Sequence, residues 1–471
     1  MQHRSIVITR ELSTVNMLAL GLGFLAQFFT VQGIPILAVP YYQMTLGVDP
    51  FLLSIAMMGP LLFGSAIGPW VGHLSDACNS RFGRRRPFIF VGAWGLCISY
   101  GLLWMVPQSW SSSAQIVYFF IVACAYYVAG AIYTVPLTSM VYELSDDPHQ
   151  RTRILGFTTY FFKTGSLMYQ WVFPIAQLAI FGSVIVGIKF VGWGIGIFIF
   201  ALMGMLPALF IREATQPNGI GCVVDRVTVS FKQSLGAIIN NREMRLLIIV
   251  VFIQMGACAG AAMMDYYLLV YFVHAGDIGT GAVWKGVLST SYALAGMACV
   301  PLVVHFSKRV GKLTALKCIF IINIVGGVAK WFIFVPGARW GIVLDAVLCS
   351  AVWTAMVVLI PSMISDLNAQ QSMQSSTATK GATGSQAGAF AAVHGWAASF
   401  AGVTAFIASG FMLNLIGFNA ASGAAQPEQA LLCMRIILSG GTAVFSLCAL
   451  AVLHYLGWSR QNSQLKQTFT S

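Results

Sequence analysis

Residues 194–210 read GIGIFIFALMGMLPALF. A helix resting on a water-soluble core keeps polar residues on its outer side at a 3.6-residue period. This stretch has none on any side, so its surroundings must be apolar all round. Outward in both directions the same texture recurs, in stretches near 15–36, 51–74, 87–106, 115–141, 154–181, 188–211, 246–273, 284–306, 314–335, 341–364, 388–416 and 430–456. A bilayer core of about 30 Å needs about 20 apolar residues per helical crossing. Lipid offers no partner for a bare backbone N–H or C=O, which leaves helices or closed barrels. Barrel strands alternate apolar and polar residues, and these segments do not. The chain is therefore expected to be an all-α membrane protein with twelve transmembrane helices.

Composition agrees: 8% of residues are charged and 58% hydrophobic, against about 25% charged in soluble proteins. The net charge of +12 does not point to nucleic acid, because the basic residues form no patch interleaved with aromatics. With the N-terminus inside, about 20 of the 26 Lys and Arg fall on the cytoplasmic side. They include Arg81, Arg84, Arg85 and Arg86, then Arg151 and Arg153, then Lys308, Arg309 and Lys312. External joints keep few, such as Lys285 and Arg339. The bias places both termini in the cytoplasm of a multi-pass cell-membrane protein, in the inner membrane if the source is Gram-negative. The ten cysteines lack CxxC or CxxxH spacing, so no disulfide framework, metal site or cofactor is expected. The first span is too long for a signal-peptide core and is expected to be retained.

The longest polar joint divides the chain into 1–211, a cytoplasmic linker 212–245, and 246–471. A weak repeat supports two halves. RFGRRRP (81–87) follows the second span and SKRVGK (307–312) the eighth; ELSDDPHQRTR (143–153) follows the fourth and the Ser/Thr/Gln-rich stretch 366–386 the tenth. Paired six-helix bundles are the plan of major facilitator carriers, whose substrates bind near the midplane. An acid ending one helix, a glycine turn and clustered arginines opening the next suit a clasp, here Asp76 with Arg81, Arg84, Arg85 and Arg86. The same arginines would also serve as a headgroup anchor.

TLGVDPFLLSIAMMGPLLFGSAIGPWVGHLSDACNSRFGRRRPF (45–88) resembles the second-helix region of plant sucrose–proton symporters and their animal relatives. ELSDDPHQRTRILGF (143–157) and the 366–388 segment resemble the glycoside–pentoside–hexuronide cation symporters. The resemblance implies a major facilitator carrier moving a sugar or glycoside by alternating access, usually coupled to a cation. The sodium-binding acids of the melibiose carriers fall here at Gly64, Gly68 and Thr134, and their helix-eleven lysine near Ala398. Hard cations need charged oxygen ligands, so coupling by that route is not expected and a proton needs another group.

Ionisable residues inside spans default to functional candidates. Asp265, beside Tyr266 and Tyr267, stands in surroundings that disfavour a lone charge. It suits a proton site or a sugar-hydroxyl acceptor, with an ion pair as the plainer alternative. Lys163, near mid-depth, would pair with Asp265 or donate to sugar. Lys330 and Asp345 suit a structural pair with each other, and His394 suits packing as well as a relay. Amides and aromatic faces bind sugars; Gln27, Gln32, Tyr126, Tyr127, Tyr160, Tyr169, Gln170, Trp171, Gln254, Trp353 and Trp396 supply them, although any one aromatic is as readily core. No nucleophile elbow, HExxH or phosphate loop occurs. The reading is a monomeric secondary transporter of a disaccharide-like sugar, with a small-molecule sugar, the bilayer and a proton as partners. A lysolipid carrier of the same superfamily, an uncoupled facilitator, and a channel or membrane enzyme are the rivals.

Overall fold

The computed structural model describes residues 13–78, 80–144, 148–211, 241–378, 387–419 and 425–470, with the side chains of 76, 142–143, 148–153, 155, 365, 368–378, 387–393, 396 and 458–470 outside that description. Eleven described helices are long and apolar enough to cross a bilayer. They are α1 (Thr14–Thr45), α2 (Pro50–Ser75), α3 (Arg86–Leu103), α4 (Ser112–Val141), α6 (Val184–Phe210), α7 (Arg242–Val273), α8 (Ile278–Val310), α9 (Lys312–Ile333), α10 (Trp340–Ile364), α11 (Ala397–Leu415) and α12 (Glu428–Gly457). Between α4 and α6 lies α5 (Pro148–Met168), followed by a tight turn at Tyr169–Trp171 and a short helix Val172–Ala176. The sequence leads one to expect a single span over 154–181 there. The polar run from Thr158 to Gln170 thins the apolar signal, and the tight turn at Tyr169–Trp171 breaks the α-helix before Pro174.

The helices start where side chains can take the first free N–H groups. Ser13 accepts from Val15 N at 3.2 Å, Ser111 from Ala114 N at 3.4 Å, and Asp277 from Thr280 N at 3.1 Å. Large apolar side chains point outward, including Phe332 at 73% exposure and Leu415 at 66%. Patches of this kind suit lipid rather than water.

The chain divides into two compact units, residues 1–42 with 56–219, and residues 43–55 with 220–471. In the first, α3 and α4 touch through glycine: a Cβ on Gly92 would lie 2.7 Å from the backbone N of Tyr133. Phenols of α3 and α4 then reach α1. Tyr126 donates to Phe29 O at 2.9 Å, Tyr133 to Gly23 O at 3.0 Å and Tyr100 to Gly33 O at 3.0 Å.

The second unit packs α7, α8, α9, α10 and α12 around a core of Met244, Leu247, Val303, Phe320, Met356, Ile360 and Leu453. The segment 43–55 belongs to it by contact. Gln43 accepts from Tyr267 OH at 2.7 Å, Asp49 accepts from Asn414 Nδ2 at 2.6 Å, and Phe51 meets Phe411 with ring centroids 5.7 Å apart. Gly410 permits this, because a Cβ there would lie 2.7 Å from Pro50 O. The second unit thus takes in a segment that the division at 212–245 leaves with the first bundle, and residues 212–240 of that linker lie outside the described residues.

Candidate functional site

Four helices of the second unit bring together two ion pairs inside their spans. On α9, Gly326 brings its backbone against α10, where an added Cβ would sit 2.6 Å from Cys349 Sγ. One turn further along α9 is Lys330, and one turn back along α10 from Cys349 is Asp345. Antiparallel packing makes those two meet: Lys330 Nζ lies 2.8 Å from Asp345 Oδ1 and donates to Oδ2 at 2.9 Å. Both side chains are buried, at 3% and 0% exposure. Burial at that depth is tolerable only for a matched and hydrogen-bonded pair. Tyr292 of α8 completes it, donating to Asp345 Oδ2 at 2.9 Å. The pair expected between Lys330 and Asp345 is present.

A second pair lies on α7 and α8. Lys285 Nζ donates to both oxygens of Asp265, at 2.7 and 2.6 Å. It is less enclosed than the first, with 17% of the lysine and 12% of the carboxylate side chain exposed. This corrects two expectations. The partner of Asp265 is Lys285, not Lys163, and Lys285 lies within α8 rather than in an external joint. Lys163 is exposed on α5 of the first unit, one turn from Tyr160, which is 68% exposed. The signal that could have found Lys285 is that it and Asp265 flank one short connection between consecutive helices, as Lys330 and Asp345 do.

Asp277 in the loop before α8 accepts from Thr280 N and from Thr280 Oγ1 at 2.6 Å. Those bonds hold its carboxyl below the usual carboxylate range. They also set where α8 begins, two turns from Lys285. His274 in the same loop stacks on Trp284 with centroids 6.3 Å apart, and burial pushes its imidazole down.

The remaining candidates are scattered. Gln27 of α1 donates to Thr138 Oγ1 at 3.4 Å while its buried Oε1 meets no hydrogen-bond donor among the described residues. Gln32 is exposed and Gln170 half-buried. Tyr127 is buried against Tyr126, centroids 5.4 Å apart. Tyr126, considered for sugar contact, is instead fully buried and committed to the α1 backbone. Tyr266 is half-buried next to Asp265, and Trp353 packs on the apolar core of the second unit. Gln254 is buried and donates to Cys258 Sγ at 3.3 Å. His394 is half-buried, its Nδ1 meeting no donor or acceptor among the described residues. The side chains of Trp396 and Asp76 lie outside the described residues. Of the clasp arginines, Arg81 is exposed with its guanidinium 4.7 Å from the Phe82 ring centroid, and Arg84 is half-buried. Arg85 is buried, and Arg86 donates to Ala208 O and to Leu209 O at the end of α6. A cation at a helix C-terminus meets the negative end of its dipole.

A family model described as MFS/sugar transport protein matches residues 19–457. The chain belongs to this family. It is a multi-pass cell-membrane transporter of the major facilitator type. It is 23% identical over 318 residues to the uncharacterized symporter YnaJ of Bacillus subtilis, covering 66% of each chain. It is 22% identical over 298 residues to the isoprimeverose transporter of Lactiplantibacillus pentosus, covering 62% of this chain and 60% of the relative. A sucrose transport protein of Arabidopsis thaliana is 30% identical over 142 residues, 28% of each chain. The matched region thus spans 66% or less of the length of these relatives. Among solved structures, the nucleoside transporter NupG aligns with a TM-score of 0.61 at 15% identity, over 93% of this chain and 99% of that one. A bacterial homologue of the lysosomal transporter Spinster aligns at 0.61 and 16% identity, over 94% of each. At such identity the likeness speaks for the fold alone.

Proposed function

We propose that this transporter is a secondary carrier for a sugar or glycoside of disaccharide size, driven by protons through Asp265. The supporting observation is the Asp265–Lys285 pair, doubly hydrogen-bonded within the membrane yet partly open. Inside spans, ionisable groups are costly and mark transport pathways. A proton arriving from outside binds one Asp265 oxygen and cancels the charge that holds Lys285. The freed ammonium and the neutral carboxyl group then offer donors and acceptors to sugar hydroxyls. After the chain turns inward, sugar leaves, the proton departs to the cytoplasm, and Lys285 closes again on the carboxylate. The relatives' printed names, isoprimeverose and sucrose transporters among them, favour the sugar class.

The wider plan follows the sequence: twelve crossings, six on either side of the 212–245 linker, with both termini in the cytoplasm. Asp76 with Arg81, Arg84, Arg85 and Arg86 acts as a cytoplasmic clasp.

Uptake of labelled sucrose and related glycosides into proteoliposomes under an imposed pH gradient tests the reading. Asp265→Asn is expected to lose proton-driven accumulation while keeping sugar counterflow. Accumulation by that variant equal to the parent's would remove Asp265 from the coupling.

A further inference from the structure

The Lys330–Asp345 pair takes no part in the cycle just described, yet it occupies the more expensive position. Apolar residues of similar volume in place of a buried ion pair are often neutral or stabilising, so packing alone is a weak reason for it. Its geometry supplies a better one. Tyr292, which donates to Asp345, stands seven residues after Lys285 on α8, and two full turns place both on one face. Asp345 is therefore a fixed post on α10 to which the Lys285 end of α8 is tied through the Tyr292 phenol, while Thr354 Oγ1, donating to Gly296 O at 3.2 Å, joins the two helices further along. The register of α8 against its neighbours decides whether Lys285 reaches both oxygens of Asp265.

The two pairs also share a field, because Asp265 acts electrostatically on both Tyr292 and Lys330. The other titratable groups around them are Tyr266, Tyr267 and Tyr271 on α7 and Cys349 on α10. His274 lies in the loop after α7. On α12, Arg435 is held between the Phe272 and Trp331 rings, 4.7 and 4.1 Å from their centroids.

We propose that Tyr292 is a positioning residue: anchored by the buried Lys330–Asp345 pair, it holds α8 where Lys285 grips Asp265, and so sets the pH at which the carrier takes up its proton. The pH consequence rests on the proton reading of Asp265; the grip itself does not.

Tyr292→Phe removes one oxygen and keeps the ring, leaving Lys330 and Asp345 paired. With a looser grip a proton displaces Lys285 more readily. The midpoint of pH-driven uptake in proteoliposomes is expected to move to higher pH by about half a unit, a roughly threefold change in proton occupancy. Independently of any coupling, labelling of Lys285 by a water-soluble amine reagent, read by peptide mass spectrometry, is expected to rise several-fold. Unchanged Lys285 labelling overturns the proposal, whatever the transport result. A uniform loss of uptake with an unmoved midpoint also overturns it, since that is the mark of a merely structural phenol. If the parent protein shows no proton-driven uptake while labelling rises in Tyr292→Phe, the positioning role stands and the proton reading falls.

Discussion

Asp345→Leu is the most informative perturbation of stability in this transporter. It leaves Lys330, 3% exposed, without its counter-ion, and Tyr292 without its acceptor. Breaking a buried pair from one side costs about 3–5 kcal/mol, because an uncompensated charge remains inside. At roughly 2–4 °C per kcal/mol for a body of 150–250 residues, the midpoint should fall by roughly 6 °C or more. The double variant Lys330→Met/Asp345→Leu removes both charges and fills similar volume, and is expected within about 1–2 kcal/mol of the parent. Heating the purified protein in detergent with a thiol-reactive fluorophore reads this directly, since Cys97 and Cys258 are free and buried. Cys97 lies in the first unit and Cys258 in the second. The reasoning fails if the single variant melts with the parent, or if the double falls as far as the single.

Two further predictions concern helix starts and helix contacts. Asp277→Ala removes the cap of α8 at a cost of about 1 kcal/mol, which should speed amide exchange of its first turn about fivefold at neutral pH. Because the folded carboxyl sits below its ordinary value, its contribution is present above the unfolded value near 3.9 and is lost as pH falls through the folded one. Parent and variant should therefore converge in strong acid, whereas Asp277→Asn, a cap that does not titrate, should stay flat; divergence in acid would contradict the cap. Gly92→Ala sets a Cβ 2.7 Å from the Tyr133 backbone, and overpacking of this kind costs about 1–3 kcal/mol or more. Gly68→Ala is the control, with Val135 Cγ2 at 3.8 Å; size-exclusion yield of folded protein should drop only for Gly92→Ala.

Eleven of the spans are largely legible in the sequence, because hydrocarbon demands apolar length. Which face of each span meets which neighbour is not legible. A helix such as α4 is apolar all round, so no periodicity marks the side that holds Tyr126 against Phe29 O rather than toward a ligand. Trp353 goes the same way, into the core of its unit. Lys330 and Asp345 can be paired in advance because they flank one short connection between consecutive helices. Asp265 and Lys285 flank one as well, but Lys285 stands one residue inside the expected start of its span at 284, so the reading that counts it with the joint rests on a single position. A displacement of a few residues in a boundary is enough to misplace a charge. The interruption after Met168 is hidden by the same averaging, since a window of about twenty residues smooths over a three-residue turn.

The adoption of residues 43–55 by the second unit has a consequence for dissecting this protein. A gene divided within the central polar joint would yield a C-terminal fragment lacking the piece that carries Gln43, Asp49 and Phe51. Tyr267 and Asn414 would then be stripped of their acceptors. Such a fragment should be soundly made only beside its N-terminal counterpart, or after that short segment is grafted onto it, so complementation between separately expressed pieces is built into the order of the chain.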